Sequence, residues 1–152
     1  MVDIERCFNK TEPFDDIQID QILFDAQYPI IFSMEQKEKE YLVCCPVYNS
    51  TEIVWICTEI EPTRIIDLLR DKITIRDAFA HENGNKYLIT LKNKSFKCEL
   101  MHNGFPDDYL PTQGEFMEAE DGEFDEEINY YESKALGSHL VSPSHSGLTS
   151  FY

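Results

Sequence analysis

The sequence predicts an α+β domain: a mostly antiparallel sheet of about six strands, one main helix over 62–71 and a short second helix over 74–80. Three observations predict it. Two unbroken apolar runs, Tyr41–Cys45 and Ile53–Cys57, have strand length and many β-branched or aromatic side chains. Tyr87, Ile89, Leu91 and then Phe96, Cys98, Leu100 recur at strand period around Lys92-Asn93-Lys94. Between these pairs, Ile65, Ile66, Leu68 and Leu69 fall on one side of a helix.

Residues 1–16 are polar and read as a peripheral N-terminal segment. Order begins with Ile17, Ile19 and an extended Ile22–Asp25; Tyr28-Pro29 turns the chain into a strand over Ile30–Met34, and Gln36-Lys37-Glu38-Lys39 is a solvated hairpin turn. The central pair follows, with Asn49-Ser50 at its tip. Strands apolar on both sides need cover on both faces of the sheet. Pro46 has no N–H to give a ladder, which predicts a bulge or an edge-facing position. Pro62 suits the first turn of the main helix. Thr74-Ile75-Arg76-Asp77 resembles a capping box with Asp in place of Glu, opening the second helix. Asn83-Gly84 marks a turn, and Phe105, Tyr109 and Leu110 anchor the loop after the last strand. The organisation read is a domain over 17–114, an acidic extension over 115–134, and a flexible Ser/His-rich tail over 135–152.

At 152 residues the chain has the length of one domain, and no apolar run approaches the roughly 20 residues of a membrane span. MVDIERCFNK lacks the apolar stretch of a signal peptide. Five cysteines is an odd number, and three lie in apolar strands, which reads as reduced, buried thiols in a cytoplasmic protein. The net charge of -16 disfavours direct nucleic-acid binding and anionic membranes, and favours basic proteins or cations. That charge is unevenly divided: residues 1–106 carry 18 acidic and 12 basic side chains, whereas 107–152 carry 11 acidic and one basic.

No catalytic, cofactor or metal residue is nominated. Cys44 and Cys45 are adjacent and point to opposite faces of a strand, and no C-x-x-C or H-x-x-x-H spacing occurs. There is no G-x-S-x-G and no glycine cluster for a phosphate. His81 and His102 sit beside turns. The doublets Asp15-Asp16 and Asp107-Asp108 are the residues an enzyme using loop carboxylates would draw on. The stronger signal is the acidic extension. Glu118, Glu120, Asp121, Glu123, Asp125, Glu126, Glu127, Tyr130 and Tyr131 are the candidate contacts for a protein partner with a basic surface, with Phe116, Met117, Phe124 and Ile128 as apolar anchors. A solvated acidic tail is the plainer reading of the same residues.

Ile22-Leu23-Phe24-Asp25 with Pro29-Ile30-Ile31-Phe32, Tyr41-Leu42-Val43, Ile73–Phe79 and Asp107-Asp108-Tyr109-Leu110-Pro111 with Gly114 resemble a family of small, uncharacterised bacterial and phage-borne domains. The resemblance covers about residues 17–117, implies a compact α+β domain from a bacterium or phage, and brings no catalytic residues. The functional expectation is a non-enzymatic protein-binding or regulatory module that engages a basic protein through its acidic surface. The alternatives are an inhibitor that mimics DNA and an enzyme using loop carboxylates.

Overall fold

A computed structural model describes residues 2–140. Six strands form one antiparallel sheet in sequence order: β1 (Gln18–Asp25), β2 (Pro29–Gln36), β3 (Lys39–Tyr48), β4 (Glu52–Glu59), β5 (Lys86–Lys92) and β6 (Ser95–Leu100). Four helices accompany them: α1 (Ile4–Phe8), α2 (Pro62–Leu69), α3 (Ile75–Ala80) and α4 (Asp125–Leu140). The α+β class is as the sequence predicts.

The central hairpin pairs Val43 with Cys57 and Cys44 with Ile56. Its ladder slips between Cys44 and Val47, the bulge that Pro46 demands. At the tip, Asn49 Oδ1 accepts both the Thr51 and Glu52 N–H groups at 2.8 Å. Trp55 pairs with Ile89 on β5 and is buried.

Side-chain alternation sends the two halves of each central strand to different cores. On one face lie Phe32, Met34, Tyr41, Val43, Cys45, Trp55, Cys57 and Ile89. On the other lie Leu23, Ile31, Leu42, Cys44 and Ile56. Cys44 and Cys45 thus part to opposite faces, and all five thiols are free. Burial pushes Cys44 and Cys45 up to about 12, so both stay protonated.

The first face is closed by residues 2–17, which corrects the reading of 1–16 as peripheral. Ile4, Phe8, Phe14 and Ile17 are buried there. Phe8 meets Trp55 edge-on with centroids 5.4 Å apart, and Phe14 does the same to Tyr87 at 5.3 Å. Asn9 holds the segment down: its Nδ2 donates to the Ile17 carbonyl at 3.0 Å and its Oδ1 accepts the Ile17 N–H at 2.8 Å. Val2 and Cys7, half-buried, pack against the same core.

The second face is closed by α2, α3 and α4 with the intervening loops. Pro62 opens α2, and Ile65, Ile66, Leu68 and Leu69 are buried. The helix ends at Leu69, two residues short of the expected range, where Asp71 turns left-handed with φ 58°. Thr74 accepts the Asp77 N–H at 3.0 Å, so the capping reading holds for α3. The longest helix, α4, is absent from the expected element list, and the boundary drawn at 134/135 falls inside it. Residues 141–152, most of the tail read as flexible, lie outside the described residues.

Candidate functional site

The acidic extension is folded. Residues 105–119 run along α2 and α3: Ile75 N–H donates to the Glu115 carbonyl at 2.8 Å, Arg76 Nη1 to the Pro111 carbonyl at 3.0 Å, and Arg76 pairs with Asp107. Asp71, freed by the end of α2, accepts the Glu118 and Ala119 N–H groups at 3.0 and 3.1 Å. A turn through Gly122, φ 79°, then leads into α4. Asp125, Glu126 and Glu127 occupy the first turn of that helix, where the N-terminal dipole favours them.

Apolar spacing decides which side of this segment faces the sheet. Phe124, Ile128 and Tyr131 recur at i, i+4 and i+7; Phe124 and Tyr131 are buried and Ile128 is half-buried against the same core. Glu118, Glu120, Asp121, Glu123, Asp125 and Glu126 consequently face solvent, with Glu127 half-buried. Tyr131 belongs to the core and Tyr130 to its rim, so the two candidate tyrosines are anchors of the segment. Phe116 and Leu136 are the exposed apolar side chains nearby, at 39% and 58%. Asp15 and Asp16, the other acidic doublet, lie exposed on the N-terminal segment, which packs on the opposite face of the sheet.

Beneath this ridge lies a polar cluster that sequence reasoning missed. Lys134, the lone cation of residues 107–152, turns inward from α4. Its Nζ lies 2.7 Å from Asp20 Oδ2 on β1, pairs with Glu35 on β2, and stands 2.5 Å from Glu40 Oε1 on β3. Tyr130 donates to Asp20, and its ring centroid is 5.4 Å from the ammonium. The Tyr131 hydroxyl and Ser33 Oγ share a hydrogen bond of 2.5 Å. Oxygens of Asp20, Glu35 and Glu40 lie within 4.8 Å of one another, the closeness a metal ion asks for, and the ammonium sits among them.

Three carboxylates against one ammonium is an unbalanced set, and protonation relieves it. Burial, then the hydrogen bond with Asp20, pushes Glu40 up to about 8. Burial opposes ionisation of Asp20 too, but hydrogen bonds with Glu40, Lys134 and Tyr130 hold it below the usual carboxylate range. At neutral pH the proton therefore rests on Glu40. The buried Glu40 is partnered inside the cluster, with Oε1 against the Lys134 ammonium and its carboxyl hydrogen-bonded with Asp20.

Glu40 and Lys134 also line a cleft of about 790 Å³, bounded by the β2–β3 turn at Lys37–Lys39, the start of α2 at Glu61–Arg64, and the loop from His81 to Gly84. His81 Nε2 and Thr58 Oγ1 share a hydrogen bond of 3.1 Å, and Thr58 Oγ1 also lies 3.1 Å from the Glu59 carbonyl. Burial, then the nearby Lys86 and Arg64 charges, lowers His81 to about 4 and leaves it neutral at pH 7.

Comparisons with protein-family models, with curated proteins and with solved structures find no match to this chain. No helix among the described residues is long and apolar enough to cross a membrane.

Proposed function

We propose that this protein is a non-enzymatic binding or regulatory module of a bacterium or phage, and that residues 115–132 form a docking ridge for a basic protein. One observation carries the reading: the segment is an ordered element that packs Phe124, Ile128 and Tyr131 on the core and leaves Glu118, Glu120, Asp121, Glu123, Asp125 and Glu126 exposed. A disordered acidic tail would lose conformational entropy on binding; a ridge already fixed by Phe124, Ile128 and Tyr131 loses far less. Clustered single-sign charge speeds encounter with an opposite surface. Phe116 and Leu136 offer apolar contacts beside the charge.

Reversing Glu118, Glu120, Asp125 and Glu126 to Lys tests the reading, because all four are exposed. Affinity capture from the source cells should retain a basic protein on the native chain, release it as salt rises, and fail with the reversed variant. Equal capture by both would refute a ridge-based function. Displacement of the captured protein by duplex DNA would instead select the DNA-mimic reading.

A further inference from the structure

We propose that the outer edge of β6 pairs with β6 of a second copy of this chain, antiparallel about a two-fold axis at Cys98, so that the two sheets run on as one. The inference does not depend on the docking ridge, which lies on α4 and the segment before it.

The two edges of the sheet differ. The β1 ladder slips at three places, and Glu5 Oε2 accepts the Ile19 N–H at 2.7 Å. Bulges and covered N–H groups blunt an edge against added strands. β6 pairs with β5 from Ser95 to Leu100 without a slip. Asn93 and Lys94, at φ 53° and 63°, make the two-residue turn before it, and beyond it the Met101 N–H donates to the Lys86 carbonyl at 2.8 Å. Hydrogen-bonded positions alternate along an antiparallel strand. Ser95, Lys97 and Glu99 therefore bond to β5, while Phe96, Cys98 and Leu100 turn their N–H and C=O groups outward. Among the described residues, β6 ends the sheet and no loop backbone bonds to those outward groups.

Charge complementarity names the occupant. Centred on Cys98, an antiparallel copy sets Phe96 against the second copy's Leu100 and Cys98 against its own counterpart, so the outward groups meet and each pair exchanges both N–H···O bonds. Leu100, 45% exposed, gains cover from the second copy's Phe96. Phe96 and Cys98 pack on the core, and on the opposite face Lys97 and Glu99 stand exposed, their side chains at 70% and 45%. A lysine within an edge strand ordinarily repels an added strand. Here Glu99 reverses that for one register, in which Lys97 stands opposite the second copy's Glu99 and unlike charges meet twice. Sliding the copy by two residues either way opposes Lys97 to Lys97 or Glu99 to Glu99, and a parallel copy in register opposes both like pairs. The net charge of -16 resists self-association elsewhere; the stretch from Lys92 to Leu100 is the basic exception, with Lys92, Lys94 and Lys97 against Glu99 alone. Antiparallel pairing also sends the two lysine-bearing turns to opposite ends of the joint. A symmetric, self-complementary patch is what a two-fold dimer requires.

Sedimentation equilibrium of the full chain tests this, carried up to about 1 mM, the weak end of specific association. A monomer–dimer equilibrium is expected. Lys97→Glu and Glu99→Lys should each weaken it roughly tenfold or more by opposing like charges, and the double exchange K97E/E99K should restore it. A general effect of net charge would instead move the two single variants in opposite directions. Carbodiimide treatment of a mixture of unlabelled and heavy-isotope-labelled chains should join Lys97 of one to Glu99 of the other through an amide, which reads the register in the native protein. A monomer at every concentration overturns the proposal. So does a dimer that keeps its strength in both single variants, one that the double exchange fails to restore, or one that yields no Lys97–Glu99 link between chains.

Discussion

The two faces of the sheet are closed by different physics. Residues 2–17 close one face with apolar and aromatic contacts, Phe8 on Trp55 and Phe14 on Tyr41 and Tyr87. The helices close the other, and there α4 adds an ammonium threaded among carboxylates of three strands. Dispersion and the hydrophobic effect do not depend on proton concentration; the charged cluster does. The helical face, which holds the charged cluster, should therefore answer the more strongly to pH.

The largest expected effect comes from the apolar face. Trp55→Ala empties the centre of that core and should cost roughly 3–5 kcal/mol, read from the urea midpoint. A cost below about 1 kcal/mol would show that the face is loosely packed. On the other face, Lys134→Met leaves Asp20, Glu35 and Glu40 without their cation and should cost about 3 kcal/mol, because unpaired buried charge is expensive. Limited proteolysis should then cut first within α4, while residues 2–17 stay protected. Equal protection of α4 in the variant would mean that Tyr131, Phe124 and Ile128 hold the helix alone.

The pH response sharpens the contrast. The Glu40 carboxyl moves from an ordinary 4.5 to about 8 on folding. Between those values the native chain keeps a proton that the unfolded chain has lost, so stability falls as pH rises through the window and levels off above it. Asp20 acts in the opposite sense, its contribution disappearing as pH drops through its lowered native value. His81, lowered from 6.5 to about 4, offsets the decline below pH 6.5, so Glu40→Gln should remove the fall between pH 6.5 and 8, as followed by thermal melting; an unchanged fall there would locate the titration elsewhere. The smallest effect belongs to Thr74→Ala, which removes the α3 cap and should cost about 1 kcal/mol with no pH dependence of its own.

The strands were legible in the sequence because each announces itself locally. Tyr41–Cys45 and Ile53–Cys57 needed only their unbroken apolar character, and Pro46 its missing N–H. The N-terminal cover and α4 were not, for a common reason: their apolar residues are sparse and their partners distant. Ile4 and Phe8, four apart, were the available signal for α1. In α4 the spacing of Phe124, Ile128 and Tyr131 was present but masked by surrounding carboxylates. The polar cluster had no local signature at all. Lys134 stood out as the lone cation of its third of the chain, yet Asp20 is 114 residues away and nothing in sequence pairs them. Counting acidic residues marked 107–132 as acidic, but the inward turn of Tyr130 and Tyr131 required the helix.

The strands follow one another in the sheet, and tight turns join all neighbours except β4 and β5, which α2 and α3 separate, so the β1–β4 ladder can zip from neighbour to neighbour. The contacts of α4 are of another kind: Tyr131 reaches Ser33 across 98 residues and Lys134 reaches Asp20 across 114. Such closures carry the largest entropic penalty, and they are favourable only once the strands supplying Ser33 and Asp20 are aligned. Helix α4 therefore docks on a sheet already made. In a chevron plot, substitutions at Tyr131 and Lys134 belong on the unfolding arm, and those in the Val43–Cys57 hairpin on the folding arm.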